Sequence, residues 1–219
     1  MRTISDHASP RADTLIIMLP GANHQPEGFV EEGFVNAVRA RKLPVDLVMA
    51  ELPFSHIADT SAIDSLHREI IQPAMQGRYK AIWISGISIG GYLAMAYANR
   101  FPGVLTGLSL LAPYPGNRIT TNEIVAAGGL GTWSPQDIAE DDTERHNWQW
   151  LKQFRNEDQN LSIYLGYGQQ DRFADSHAMM AEVLSKDKID AVHGGHVWPV
   201  WLALWARFLD KEFALTHLS

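Results

Sequence analysis

The sequence predicts a single α/β domain built on a mostly parallel, doubly wound sheet with helices on both faces. Short apolar runs of strand length contain few polar residues, which is typical of strands buried on both faces. Longer stretches with helical periodicity separate these runs, and strands that alternate with helices form βαβ units with right-handed crossovers. The length of 219 residues, 46% of them hydrophobic, fits one domain covering 1–219.

Six runs have the composition of strands. In chain order they are 14–19 (TLIIML), 45–50 (VDLVMA), 81–85 (AIWIS), 105–111 (LTGLSLL), 161–165 (LSIYL) and the weaker 189–192. Helical patterns lie between and after them. They cover residues 28–41, 61–75, 88–100, 174–184 and 197–213. The last pattern carries an aromatic stripe, which we interpret as a core face rather than as a lipid-binding surface.

The segment 112–160, between the fourth and fifth predicted strands, is too long for a simple connection. A connection of this length usually has its own structure and function. It contains the run AAGGLGTW at 126–133 and an acidic, partly helical stretch with two further tryptophans. We interpret it as a cap insertion that covers a site at the sheet edge, within the same domain.

Composition and charge exclude several classes of function. The net charge of −7, with no basic cluster to offset it, argues against nucleic-acid binding and against an anionic membrane surface. Because the chain has no cysteine, disulfides, thiolate metal sites and a cysteine nucleophile are excluded. The polar start MRTISDHASPRA lacks the features of a secretory signal, and no apolar stretch reaches membrane-spanning length. We therefore expect a cytoplasmic protein with no membrane span.

The most informative motif is GISIGG at 86–91, which matches the pattern G-x-S-x-G. It directly follows a predicted strand and opens a predicted helix, which is the context of a nucleophile elbow with Ser88 as the nucleophile. A side chain at Gly86 or Gly90 would collide with the neighbouring strand and helix, so glycine is needed at both. The alternative is that the glycines serve only close strand–helix packing around a passive serine.

A serine hydroxyl needs a base to take its proton, and in this arrangement the acid and the base follow in the order Asp, His. Asp171 lies just past the fifth predicted strand, where ligands bind in open α/β sheets, and is favoured over Asp175, which falls in the next helix. After the last strand, His196 is favoured over His193, because the preceding glycines let it reach the elbow. A metal site on these two histidines lacks supporting acidic ligands, so no metal is expected.

The end of the first predicted strand can supply an oxyanion hole. The backbone N–H of Ala22 would face the N–H of Ile89, the residue after the nucleophile, and the dipole of the following helix would add to the same field. Asn23 would line the site beside Ala22. The alternative is an ordinary Pro-Gly turn at the end of the strand.

With these residues in place, the chain resembles the α/β-hydrolase superfamily over nearly its whole length, and it looks most like small bacterial serine hydrolases of the esterase type with a short cap. The matching segments are LPGAN (19–23), GISIGG (86–91), LLAPYPGN (110–117), YLGYGQQDRF (164–173) and GGHVWPVW (194–201). The resemblance implies the α/β-hydrolase fold, a Ser88–Asp171–His196 triad, hydrolysis through an acyl-enzyme, and no metal or organic cofactor. The strand before the oxyanion hole ends in Leu-Pro-Gly, where many relatives have His-Gly.

These features predict a serine hydrolase that cleaves a carboxylic ester or thioester of a small, mainly apolar acyl substrate. Asn23, Phe54, Trp133 and Trp148 are the residues expected to line its pocket, although packing of the cap onto the body explains the tryptophans equally well. The alternatives are an acyltransferase that uses the same triad and a non-catalytic ligand-binding protein on the same fold.

Overall fold

A computed structural model describes residues 1–9, 11–52, 61–155 and 160–213. Its centre is a seven-stranded sheet with the strand order β1-β3-β2-β4-β5-β6-β7. The strands are β1 (Thr3–Asp6), β2 (Thr14–Leu19), β3 (Val45–Ala50), β4 (Ala81–Ile87), β5 (Gly107–Leu111), β6 (Ser162–Gly168) and β7 (Ile189–Val192). All neighbouring pairs are parallel except β1 and β3. The chain therefore has the mostly parallel α/β fold that its sequence predicts.

The helices lie on both faces of this sheet. They are α1 (Glu27–Glu31), α2 (Phe34–Ala40), α3 (Ser61–Leu66), α4 (Gln72–Gln76), α5 (Ile89–Arg100), α6 (Arg118–Ala126), α7 (Thr143–Lys152), α8 (Ala174–Ala181) and α9 (Trp198–Glu212). A π-helical turn, His67–Ile71, joins α3 to α4, and short 3-10 turns cover Gln153–Arg155 and Lys186–Lys188.

Two expectations about the elements are wrong. The helix predicted over 28–41 is broken at Gly33, whose φ of 88° ends the first helix and starts a second. The N-terminal stretch contains a strand that the sequence analysis missed, and β1 pairs antiparallel with β3 so that Thr3 lies opposite Ala50. Exposed and partly buried residues alternate in TISD, because one side of this edge strand faces solvent.

The core consists of two layers, one on each face of the sheet. Successive residues of β2 alternate between them: Leu15, Ile17 and Leu19 join the layer that includes α5, whereas Ile16 and Met18 join the layer that includes α9. A near-continuous apolar run is the consequence of burial on both faces.

The segment 112–160 contributes α6 and α7 to this body. The buried indoles of Trp133 and Trp148 belong to the core layer that includes α5. The Trp148 N–H donates to the carbonyl oxygen of Pro115 at 2.8 Å, and the Asn147 amide donates to the carbonyl oxygen of Tyr92 at 3.1 Å. The α7 helix is thereby fixed against α5. In the described ranges, no helix is long and apolar enough to cross a membrane.

Candidate active site

Ser88 stands in a sharp turn between β4 and α5. Its backbone has φ 52° and ψ −115°, a conformation that costs energy for a residue with a side chain. The strand on one side and the helix on the other hold it there: the Ser88 N–H donates to the carbonyl of Leu111 at 3.1 Å, and its carbonyl accepts N–H groups from Gly91 and Tyr92. The turn is therefore enforced by its neighbours.

The glycines that flank Ser88 are required by close backbone contacts. A Cβ atom on Gly86 would come within 2.3 Å of the carbonyl oxygen of Gly90. A Cβ atom on Gly90 would come within 2.3 Å of the carbonyl oxygen of Leu19, at the end of β2. Both distances are far inside van der Waals contact, so the steric reason given for these glycines from the sequence is confirmed.

Asp171 and His196 are directly hydrogen-bonded. Asp171 follows β6 and His196 follows β7, and His196 Nδ1 lies 2.6 Å from Asp171 Oδ2. The other carboxylate oxygen accepts the N–H of Phe173 at 2.9 Å. Burial raises the pKa of Asp171, but the bonds from His196 and Phe173 outweigh it, so the pKa lies below its ordinary value. An ionised Asp171 keeps the proton on Nδ1 and leaves Nε2 as the basic nitrogen.

The alternative acid and the alternative base do not take part in this hydrogen bond. Asp175 is exposed in the first turn of α8, and His193 is exposed at the end of β7. The carboxylate that contacts His196 is thus the one favoured from the sequence.

Ser88 and His196 line one cavity of about 370 Å³ at the carboxyl edge of the sheet. Its walls are formed by Gly21, Ala22, His24, Ser88, Gln170, Arg172, His196 and Trp201. Asp171 lies behind His196, with a fully buried side chain. The cavity brings together three loops that follow β2, β6 and β7. This agrees with the prediction that the site residues follow the carboxyl ends of the strands.

Four of these lining residues were not predicted as site residues from the sequence: His24, Gln170, Arg172 and Trp201. His24 follows the expected oxyanion loop, and Gln170 and Arg172 flank Asp171, so proximity in sequence to the predicted site residues was the available signal. Trp201 belongs to the aromatic stripe of the last helix and is also a core residue. Its edge-to-face contact with His196, at 5.0 Å between ring centroids, brings it to the site.

The expected oxyanion donors lie beside Ser88. Ala22 lines the cavity, and a Cβ atom on its neighbour Gly21 would be only 3.6 Å from Ser88 Cβ. Hydrogen bonding within α5 starts with the N–H of Gly91, so the N–H groups of Ile89 and Gly90 precede it at the open end of the helix. Both suit an anion at this position, since the helix dipole points its positive end there.

The structure corrects the expected substrate-binding residues. Trp133 and Trp148 do not line the Ser88 cavity, because their indoles are buried in the core layer that includes α5. Asn23 does not line it either: it is exposed, in a turn with φ 62°. Phe54 lies outside the described residues. In the described part of the chain, no three His, Cys, Asp or Glu side chains gather into a possible metal site.

His196 is held by aromatic rings as well as by Asp171. Phe173 and Trp201 approach the imidazole edge-to-face, with centroids at 5.5 and 5.0 Å and interplanar angles of 89° and 87°. Behind them, His177 is fully buried, and its Nε2 lies 2.9 Å from the carbonyl of Pro113. Burial lowers the pKa of His177 to about 4, so this second histidine is neutral at physiological pH and serves as packing.

Comparisons with known proteins agree with the fold. The model of the family named Esterase matches residues 63–208. An S-formylglutathione hydrolase from Staphylococcus aureus superposes with a TM-score of 0.63 at 14% identity, over 91% of this chain and 80% of that one. Est1E from Butyrivibrio proteoclasticus gives 0.58 at 15% identity, over 95% and 93% of the two chains. Alpha/beta hydrolase domain-containing protein 10 from mouse gives 0.58 at 13% identity, over 99% and 94%. At these identities the structures show the fold alone. A search of curated proteins returns no match.

Proposed function

The chain belongs to the Esterase family and is a hydrolase of the α/β-hydrolase fold, and from that premise we propose that it cleaves carboxylic esters through an acyl-enzyme on Ser88. In this proposal His196 is the base and Asp171 is the carboxylate that orients it. One observation carries the assignment: the 2.6 Å bond between His196 Nδ1 and Asp171 Oδ2 stands directly behind the cavity that contains Ser88. A buried acid, an oriented imidazole and a strained serine are the parts that acyl transfer to serine needs.

The reaction follows from these positions. Ser88 Oγ attacks the ester carbonyl carbon while His196 Nε2 takes the hydroxyl proton, and the N–H groups of Ala22 and Ile89 stabilise the oxyanion of the tetrahedral intermediate. The intermediate collapses as the imidazolium gives its proton to the departing alcohol, which leaves an acyl group on Ser88. Water, deprotonated by His196, then attacks the acyl carbon and releases the acid and free Ser88.

The size and lining of the cavity limit the substrate. About 370 Å³ accommodates a small ester, and Ala22 and Trp201 offer apolar contact to a short acyl chain. The same geometry serves an oxygen ester or a thioester, because the chemistry on the acyl carbon is the same.

We expect Ser88→Ala to lower turnover of a p-nitrophenyl acetate substrate on the order of a million-fold, as loss of a serine nucleophile can. An uncharged fluorophosphonate probe should label the native chain and leave the variant unlabelled. Both are measured beside circular dichroism, which reports the fold.

Ser85 provides the matched control, because it is buried three residues before the nucleophile and its Oγ has no hydrogen-bond partner in the described part of the chain. Ser85→Ala should keep both activity and labelling. Turnover by Ser88→Ala close to that of the native chain would refute the nucleophile. A native chain that neither turns over esters nor reacts with the probe would point to a binding protein on this fold.

A further inference from the structure

Arg172 is an exposed cation on the wall of the Ser88 cavity. Its guanidinium lies over the ring of Phe173, with 4.7 Å between the guanidinium carbon and the ring centroid. Within the described ranges it forms no ion pair, in contrast to most of the arginines there. Those that pair with carboxylates are Arg2, Arg39, Arg41, Arg68, Arg78, Arg100, Arg145 and Arg207.

Among the described residues that line the cavity, none is a carboxylate that could balance this charge. The nearest acid in sequence, Asp171, is committed to His196 and to the N–H of Phe173. Gln170 adds a polar wall: its side-chain oxygen accepts the N–H of Gly194, which orients its amide NH2 as a further donor. The described walls of the cavity therefore carry positive charge and hydrogen-bond donors, although the whole chain has a net charge of −7.

We propose that the ester substrate carries a compact anionic group, a carboxylate or similar oxyanion, which Arg172 binds. This inference rests on the proposed ester hydrolysis at Ser88 and names the substrate class for that site. A guanidinium recognises a carboxylate through paired N–H donors, and such charge-assisted bonds are about twice as strong as neutral ones. The stacking on Phe173 restricts the guanidinium in advance, which reduces the entropy lost on binding.

The position of Arg172 also indicates which part of the substrate is charged. Phe173, on which it stacks, contacts the His196 ring edge-to-face. Because His196 delivers its proton to the leaving alcohol, the alcohol part of the ester occupies the side of the cavity nearest to Arg172. The anionic group therefore belongs to the alcohol part.

Two pairs of synthetic esters test this, each pair differing in one charge. In the first pair the charge is on the alcohol part: para-acetoxybenzoate against its methyl ester. In the second it is on the acyl part: the p-nitrophenyl monoester of succinate against its methyl-capped form. The readout is the ratio of kcat/KM for the charged ester to kcat/KM for the neutral one, in the native chain and in Arg172 variants at low salt.

Arg172→Met should lower this ratio roughly ten- to a hundred-fold for the first pair, the range expected for a lost hydrogen bond to a charged group. Arg172→Lys should keep part of the preference, and Arg172→Glu should reverse it. Arg11→Met is the matched control: Arg11 is exposed and precedes β2, at the opposite edge of the sheet, so this variant makes the same change in net charge without touching the cavity.

An unchanged ratio for both pairs in Arg172→Met would overturn the inference, as would an equal fall in Arg11→Met. A fall confined to the second pair would support the anionic substrate and move the charge to the acyl part. Labelling by the uncharged fluorophosphonate separates the two proposals. A labelled native chain with unchanged ratios refutes only the role of Arg172, whereas an unlabelled chain that hydrolyses neither pair refutes ester hydrolysis itself.

Discussion

At the scale of single residues, the charge on Asp171 matters more than its shape. One oxygen accepts from the backbone of Phe173, and the other accepts from His196 Nδ1. An asparagine has nearly the same shape as an aspartate, but its NH2 group would face Nδ1 and favour the wrong imidazole tautomer. We therefore expect Asp171→Asn to lower kcat by about ten-thousand-fold with the fold unchanged. Steady-state kinetics on an acetyl ester, with circular dichroism, measures this.

Asp175 serves as the control for that substitution. It is four residues away and exposed on α8, so Asp175→Asn should leave kcat within about twofold. If Asp175→Asn were the damaging change and Asp171→Asn the harmless one, the assignment of the acid would be wrong.

The sequence carries enough information to nominate Ser88, Asp171 and His196, because each follows a recognisable strand and their order along the chain is fixed by the fold. It carries less about His24, Gln170 and Arg172. Whether a loop side chain faces a cavity depends on how separate loops fold against each other, and neither periodicity nor composition encodes that.

At the scale of elements, α7 stabilises the body through Trp148. The indole is 2% exposed, and its N–H donates to the carbonyl of Pro115. Trp148→Ala should lower the free energy of unfolding by roughly 3–5 kcal/mol, the usual cost of removing a large buried ring. Any loss of activity should be equal for an acetyl and an octanoyl ester. Denaturant unfolding and steady-state kinetics on both esters measure the two effects.

The same segment contains a control in Ile119, which is 71% exposed on α6. Ile119→Ala should change stability by less than about 0.5 kcal/mol. A Trp148→Ala protein with native stability and a raised KM for the octanoyl ester alone would show instead that Trp148 contacts substrate.

Elements differ in how well the sequence predicts them. The bounds of β2 and β3 are predicted correctly, because both strands lie inside the sheet and consist almost entirely of apolar residues. The break between α1 and α2 was missed, because an isolated glycine inside a helical pattern is often tolerated, and only the φ of Gly33 shows that this one is not. For the tryptophans of 112–160, sequence alone left core and pocket equally open.

At the scale of the whole molecule, a buried carboxylate joins three parts of the chain at the edge of the sheet opposite Ser88. Asp46, near the start of β3, accepts the N–H of Ala8 at 2.8 Å and the hydroxyl of Tyr79 at 2.7 Å. It also pairs with Arg78 and contacts His7 Nδ1 at 3.1 Å. The N-terminal segment, β3 and the loop before β4 all converge on this one fully buried side chain.

Asp46→Asn should lower the free energy of unfolding by about 3 kcal/mol, because it leaves the cation of Arg78 without its partner, and it should spare kcat/KM. The difference in unfolding free energy between the native chain and Asp46→Asn should depend on pH. Burial raises the pKa of Asp46, but the bonds from Tyr79, Ala8 and its other partners outweigh it, so the folded pKa lies below the ordinary value. The stabilisation is then complete above about pH 4 and is lost as the pH falls through the folded pKa. Urea unfolding of both proteins between neutral and acidic pH measures whether the difference in unfolding free energy becomes smaller.

Asp13 is the control, because its side chain is 56% exposed and pairs only with the exposed Lys80 in the described part of the chain. Asp13→Asn should cost less than about 1 kcal/mol at any pH. A gap for Asp46→Asn that stays constant down to acidic pH would contradict a charged role for this carboxylate.

The two edge strands of the sheet affect whether folded copies of the chain aggregate at high concentration. Both β1 and β7 are only four residues long, TISD and IDAV, and each carries an aspartate. On β7, Asp190 is bonded to Tyr164 and paired with Lys211, which keeps charge at that border. A short edge strand with charged side chains is a poor template for pairing with a strand of another molecule. The apolar strands between β1 and β7 are therefore shielded from edge-to-edge pairing of sheets. Self-association of this chain into β-rich aggregates would therefore have to start from a partly opened molecule, such as one in which TISD has detached from β3.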